Sequence, residues 1–190
     1  MTLTTIDDRA ALVVIDLQNG IAGSPTVPVP ADEVVARTVQ LADAFRAQGR
    51  LVVLVRVSFA ADGSDAAPGR TEAVRHAAPR PEGWDTIVDA LAGHPEDVVV
   101  TKHNWGAFHG TDLDVQLRRR GITQVVLTGI ATSMGVESTA RAAHEHGYHV
   151  ALVVDAMGDR DAENHRRAVE SIFPKLGETG STAEVLALLR

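Results

Sequence analysis

Apolar runs rich in valine, isoleucine and leucine recur along the chain, at Ala11 to Ile15, Leu51 to Val57, Val98 to Thr101, Gln124 to Thr128 and His149 to Val154. Runs that are apolar at consecutive positions suit parallel strands covered on both faces. Between them, apolar positions return with helical spacing. Val34, Thr38, Leu41 and Phe45 share one face, as do His165, Ala168, Val169 and Ile172. Strand and helix alternate, which predicts an α/β fold: a three-layer α/β/α, doubly wound, Rossmann-like sheet of about six mainly parallel strands with right-handed crossovers. A strand near Glu178 and a helix from about Thr182 to Leu189 complete the pattern. The stretch from Ala60 to Gly83 carries much Gly, Pro, Ala and charge without a period, and reads as a long loop. As a linker it would leave about 60 residues before it, too few for an α/β domain, so residues 1–190 are expected to form one domain.

Composition narrows the chemistry. The 190 residues include no cysteine, which excludes a disulfide framework, a thiolate metal site and any reaction that needs a thiol nucleophile. The net charge of -7 is spread without a basic cluster, so there is no electrostatic footprint for nucleic acid. No uncharged apolar segment reaches the roughly 18 to 20 residues of a membrane span, and the opening MTLTTIDDRAALVV has no basic stretch followed by a long apolar run. The expectation is a cytoplasmic protein whose partner is a small-molecule substrate, with no nucleic acid and no membrane.

In an open parallel sheet, ligands bind beyond the carboxyl ends of the strands. This sequence places there Asp16, Ser58, Lys102, the segment Gly129 to Gly135, and Asp155. Asp16 follows the apolar ALVVI directly, and is either a functional acid at the mouth of the core or a turn aspartate beside a helix start. Lys102 ends VVVTK, where it either snorkels or meets the carboxylate. A lysine beside an aspartate in a dry cleft would hold the acid ionised or share its proton. The segment GIATSMGVESTARAA reads as strand, tight turn and helix start. Its N–H groups could hold an anion or polarised carbonyl, or simply connect strand to helix. Glu137 and Arg141, four apart, read as a surface ion pair. Gly-x-Gly-x-x-Gly, the phosphate-binding Gly-Lys-Ser/Thr loop and His-Glu-x-x-His are all absent. Of the eight histidines, His144 and His146 are two apart and face differently on a helix, so no metal site is expected.

Three blocks, ALVVIDLQNG, VVTKHNWGAFHGTDLDVQLRRRGI and VVLTGIATSMGVESTARAAHEHGYHVALVVDAMGD, resemble in order and spacing the isochorismatase-like hydrolases, which include nicotinamidases, carbamoyl hydrolases and isochorismatase. The resemblance runs from about Ala11 to Phe173 and implies the same α/β fold. It implies a catalytic pair at Asp16 and Lys102, and it puts the family's nucleophilic cysteine at Gly135, where the nucleophile is lost. It further implies a cis peptide at Ile130–Ala131 and N–H groups of Ala131 and Gly135 as oxyanion or substrate donors. The metal-binding branch carries Asp-x-His after the second strand, where this chain reads VRVSFAADG, so neither zinc, iron nor any other cofactor is carried over.

Members with glycine at this position imply a reaction that needs no thiol: vinyl-ether hydrolysis of the isochorismate type, with Asp16 as general acid. In that reading Lys102 orients the acid or binds a substrate carboxylate, and Trp105 and Phe108 form pocket walls. Isochorismate is a dicarboxylate, for which the further basic candidates are Arg56 and Arg70. Two alternatives stand beside it: an amidohydrolase using Ser133 or Ser138, and a non-catalytic binding or scaffold homologue. The resemblance also implies a homo-oligomer, a dimer or larger, with the alanine-rich helix after Gly135 and the 60–83 loop as contact surfaces.

Overall fold

The computed structural model describes residues 3–67, 69–72 and 80–189. Six strands form one parallel sheet: β1 (Ala10–Ile15), β2 (Leu51–Val57), β3 (Val98–Lys102), β4 (Gln124–Ile130), β5 (His149–Gly158) and β6 (Glu178–Gly180). Helices α1 (Asn19–Ala22), α2 (Ala31–Ala47), α3 (Leu113–Arg119), α4 (Glu137–Glu145), α5 (Ala162–Arg167) and α6 (Thr182–Leu188) connect them. Alternate residues of β1 serve different layers. Leu12 and Val14 join a core with Val34, Leu41 and Phe45 of α2 and Val185 of α6. Ala11, Val13 and Ile15 join a second core with Leu113 and Leu117 of α3 and Ala140 and Ala143 of α4. Both faces of β1 are therefore buried, which is why its sequence is continuously apolar.

The helix ends follow local rules. Asp32 and Glu33 lie in the first turn of α2, where acids complement the helix dipole. A reciprocal Ser181–Glu184 capping box starts α6.

The strand order is β3-β2-β1-β4-β5-β6. The chain steps outward from β1 to β3, then returns to the other side of β1 for β4. That reversal opens a crevice beyond the carboxyl ends of β1 and β4, the switch point where doubly wound sheets bind ligands.

One strand differs from the sequence reading. β5 runs to Gly158, and its register with β4 slips: Leu127 pairs with Leu152 but Gly129 with Met157. The extra residues bulge. Asp155 therefore lies within β5, not after it. Its carboxylate accepts from Thr182 N at 2.7 Å and from Thr182 Oγ1 at 3.0 Å, capping α6, so its role is structural. Of the 60–83 loop, residues 68 and 73–79 lie outside the described residues.

Candidate active site

Asp16 leaves β1 in the left-handed region, with φ 55°. Aspartate tolerates that conformation better than most residues, at a cost on the order of 1–3 kcal/mol that the surroundings must hold. They do so through hydrogen bonds. Asp16 N donates to Val55 O at 2.9 Å, and Gln18 N donates to Asp16 O at 2.8 Å. The buried Gln18 amide then clamps β2, accepting from Val57 N at 2.8 Å and donating to Val57 O at 3.0 Å.

Lys102 ends β3 and is 2% exposed, so it does not snorkel. Its Nζ donates to Asp16 Oδ2 at 2.8 Å and to Asn104 O at 3.1 Å. Asp16 is 5% exposed, and its Oδ1 has no partner. Burial pushes the Asp16 carboxyl up to about 6, outweighing the charge and hydrogen bond of Lys102, which act in the opposite direction. The result is a carboxyl poised near neutrality with one oxygen committed and one free.

Beyond β4 the Ile130–Ala131 peptide is cis, and Thr132–Val136 form a π turn. Ala131 O accepts from Met134 N at 3.1 Å and from Val136 N at 3.2 Å. The Gly135 N–H, which a regular α-helix would send to Ala131 O, is released from that bond. Gly135 also packs on the acid. A Cβ built there would lie 3.2 Å from Asp16 Oδ2 and 2.9 Å from Ile15 Cγ2, so any side chain at this position would face the carboxylate and crowd Ile15. Residues after β5 hold the turn. Asp159 Oδ2 accepts from Ser133 N at 2.7 Å, and Thr132 Oγ1 lies 2.9 Å from His165 Nδ1. Asp159, His165, Gln18 and Ile15 were not singled out from the sequence. The only signal was their position beside the IDLQNG and AMGD blocks.

Several expected site residues lie elsewhere. Phe108 is 8% exposed and stacks on His146 at a centroid distance of 5.0 Å, inside the core between α3 and α4, so it is not a pocket wall. Trp105 is 63% exposed. Its carbonyl faces the Gly135 position, at 3.5 Å from a built Cβ. Ser58 bonds its neighbours: Ser58 N donates to Lys102 O at 3.1 Å, and Ser58 Oγ donates to Asp85 Oδ2 at 2.7 Å. Ser58 O also lies 2.7 Å from His103 Nδ1, which is 3.2 Å from Asp65 Oδ2, and among the described residues no group of three His, Asp or Glu is arranged to hold a metal ion. Glu137 and Arg141 pair at 2.9 Å on α4.

Cavity size does not point to this site. The larger cavity, about 630 Å³, lies at the amino ends of β4 and β5, lined by Gln124, Tyr148 and His149. One of about 220 Å³ lies over the end of β2, between Ser58, Phe59 and Trp84.

The model of the isochorismatase domain matches residues 10–184. The chain is 45% identical over 179 residues to the isochorismatase family protein YecD of Escherichia coli O157:H7, covering 94% of this chain and 95% of the relative. It is 33% identical to the ureidoacrylate amidohydrolase RutB of Stutzerimonas stutzeri, covering 87% and 77% respectively. The structure of an isochorismatase family protein from Burkholderia thailandensis superposes with a TM-score of 0.94 at 50% identity, over 97% of both chains. With the isochorismatase domain matched over residues 10–184, nearly the whole chain covered by relatives and the fold shared, this protein belongs to the isochorismatase family of hydrolases.

Proposed function

We propose that the chain hydrolyses a small molecule without a thiol nucleophile, opening a vinyl ether of the isochorismate type with Asp16 as general acid. The supporting observation is the Asp16 carboxyl: buried, raised to about 6, and unpartnered at Oδ1. At that value roughly a tenth is protonated at neutral pH, enough to act as an acid. Its proton passes to the terminal carbon of the vinyl group, and the ether oxygen shares the resulting positive charge. Water adds to that cation, and the proton it sheds returns to Asp16. The hemiketal then breaks its carbon–oxygen bond, so one water is consumed and a carbonyl compound and an alcohol leave. Lys102 holds Oδ2 and leaves Oδ1 to face substrate. The N–H groups of Ala131 and Gly135 contact the substrate, and glycine at 135 lets the turn pack directly on Asp16 and Ile15.

Isochorismate itself fits this site poorly. Arg56 is drawn to Asp85 at 3.7 Å and donates to Thr101 at 3.1 Å, and Arg70 is exposed, so neither forms a dicarboxylate clamp. A vinyl ether of lower charge suits it better. In this reading the enzyme is cytoplasmic and homo-oligomeric. The exposure of Trp105 and Met134 beside the site supports the latter, and light scattering tests it.

The likeness to an amidohydrolase favours a second reading, in which ionised Asp16 draws a proton from a water that attacks an amide carbonyl. The two predict opposite pH profiles. Wild type and Asp16→Asn are assayed on isochorismate, simple vinyl ethers and small amides. Acid catalysis gives a kcat/KM that falls as pH rises through about 6, whereas base catalysis gives one that rises. Ser133→Ala and Ser138→Ala retain full activity in both. No turnover of any panel member sinks both readings and leaves a binding protein.

A further inference from the structure

Outside the reacting pair, the buried titratable groups that this mechanism does not use include His165 on α5, 8% exposed. We propose that His165 is a positioning residue that holds the Thr132–Val136 turn against Asp16 by donating a hydrogen bond to Thr132. The inference rests on the reading of Asp16 as the reacting group.

Proton counting supplies the direction of that bond. Thr132 is fully buried, and its hydroxyl carries one hydrogen. Gly158 O, 3.1 Å from Thr132 Oγ1, can only accept. The hydroxyl therefore donates to Gly158, and the imidazole Nδ1, at 2.9 Å, carries the hydrogen that Thr132 accepts. Burial lowers the pKa of His165 and the charge of Asp159 opposes the effect; with the hydroxyl hydrogen given to Gly158, the neutral ring carries its hydrogen on Nδ1, as the imidazolium does.

The neighbouring residue is held from the same segment, Ser133 N donating to Asp159 Oδ2 at 2.7 Å. Two consecutive residues of the turn are thus gripped, Thr132 by α5 and Ser133 by the connection that precedes it. Three residues further on, Gly135 covers the Asp16 carboxylate, with a built Cβ 3.2 Å from Oδ2. Loosening the grip on Thr132 lets the cover shift and water reach Asp16. The desolvation that raises this acid then weakens, while the attraction of Lys102, the facing cation, remains.

The test is a ¹³C NMR titration of the Asp16 carboxyl in the ligand-free protein, which needs no substrate. Wild type titrates at about 6. His165→Asn puts an amide N–H where Nδ1 stands and keeps that midpoint. His165→Leu removes the donor and lowers the midpoint by about one unit or more. His165→Gln, whose amide lies where Nε2 was, follows leucine. A leucine variant that folds with its Asp16 midpoint unmoved overturns the proposal, as does an asparagine variant that shifts as far as leucine. Should the leucine variant not fold, Thr132→Val removes the same bond from the other side and carries the same expectation. Absence of turnover in the substrate panel would defeat the proposed function without moving these midpoints, so the two failures are distinguishable.

Discussion

Two buried ion pairs of nearly equal length sit on opposite sides of this molecule's logic. Arg46 and Asp97 meet at 2.7 Å and tie the approach to β3 onto α2. Both Asp97 oxygens accept from the guanidinium, and Arg46 also donates to Leu91 O at 3.2 Å. Asp16 and Lys102 meet at 2.8 Å, yet one Asp16 oxygen is left without a partner. The first pair satisfies the groups it buries, as a structural pair must if desolvation is to be offset. The second leaves a buried acceptor that a proton, a water or a ligand group would satisfy. Completeness of hydrogen bonding, more than distance, separates the two pairs.

Mutation breaks the comparison most sharply. Asp16→Asn is expected to lower turnover by roughly 10²–10⁴-fold, the range of a lost general acid or base. Asp97→Asn is expected to leave turnover unchanged and lower stability by roughly 1–3 kcal/mol, since the guanidinium loses its buried counter-charge while keeping Asp43 at 3.2 Å and Leu91 O. Steady-state kinetics and urea denaturation of both variants check the pair of outcomes, and equal activity loss in both would dissolve the distinction.

Linkage sharpens it next. Because the folded Asp16 binds its proton more tightly than an ordinary aspartate, with its pKa of 3.8, the native state holds more protons between that value and about 6. The contribution of Asp16 to stability therefore falls as pH rises through this window, by about 3 kcal/mol in the limit of a two-unit shift. Asp16→Asn should lack that component in denaturation curves between pH 4 and pH 7. A smaller effect attends Gly135→Ala, whose Cβ would meet Ile15 Cγ2 at 2.9 Å and should cost roughly 1–3 kcal/mol, read as a lower urea midpoint. Smallest is Arg141→Ala on the solvent side of α4. Its partner lies 2.9 Å away but the arginine is 48% exposed, so the loss should be about 0.3–0.5 kcal/mol.

Much of the fold was legible because strands buried on two faces leave continuous apolar runs, and β1 shows this at all six positions. β5 was read short because Asp155 interrupts its run. In the structure a bulge turns that residue outward to cap α6 while Ala156 and Met157 return to the core. Asp16 and Lys102 were legible as strand-end residues on one side of the sheet. Adjacency in sequence to Lys102 does not tell which way a loop side chain points: Phe108 turns into the core and Trp105 outward.

The sequence by itself determined the class of the fold, the strands, and the absence of a thiol, since these depend on local pattern and composition. Only the tertiary structure decided which groups meet. Asp16 and Lys102 are 86 positions apart, and Thr132 and His165 are 33 apart. Only chain closure could bring a carboxylate, an ammonium and a glycine turn into one dry crevice, where burial gives the acid its altered character.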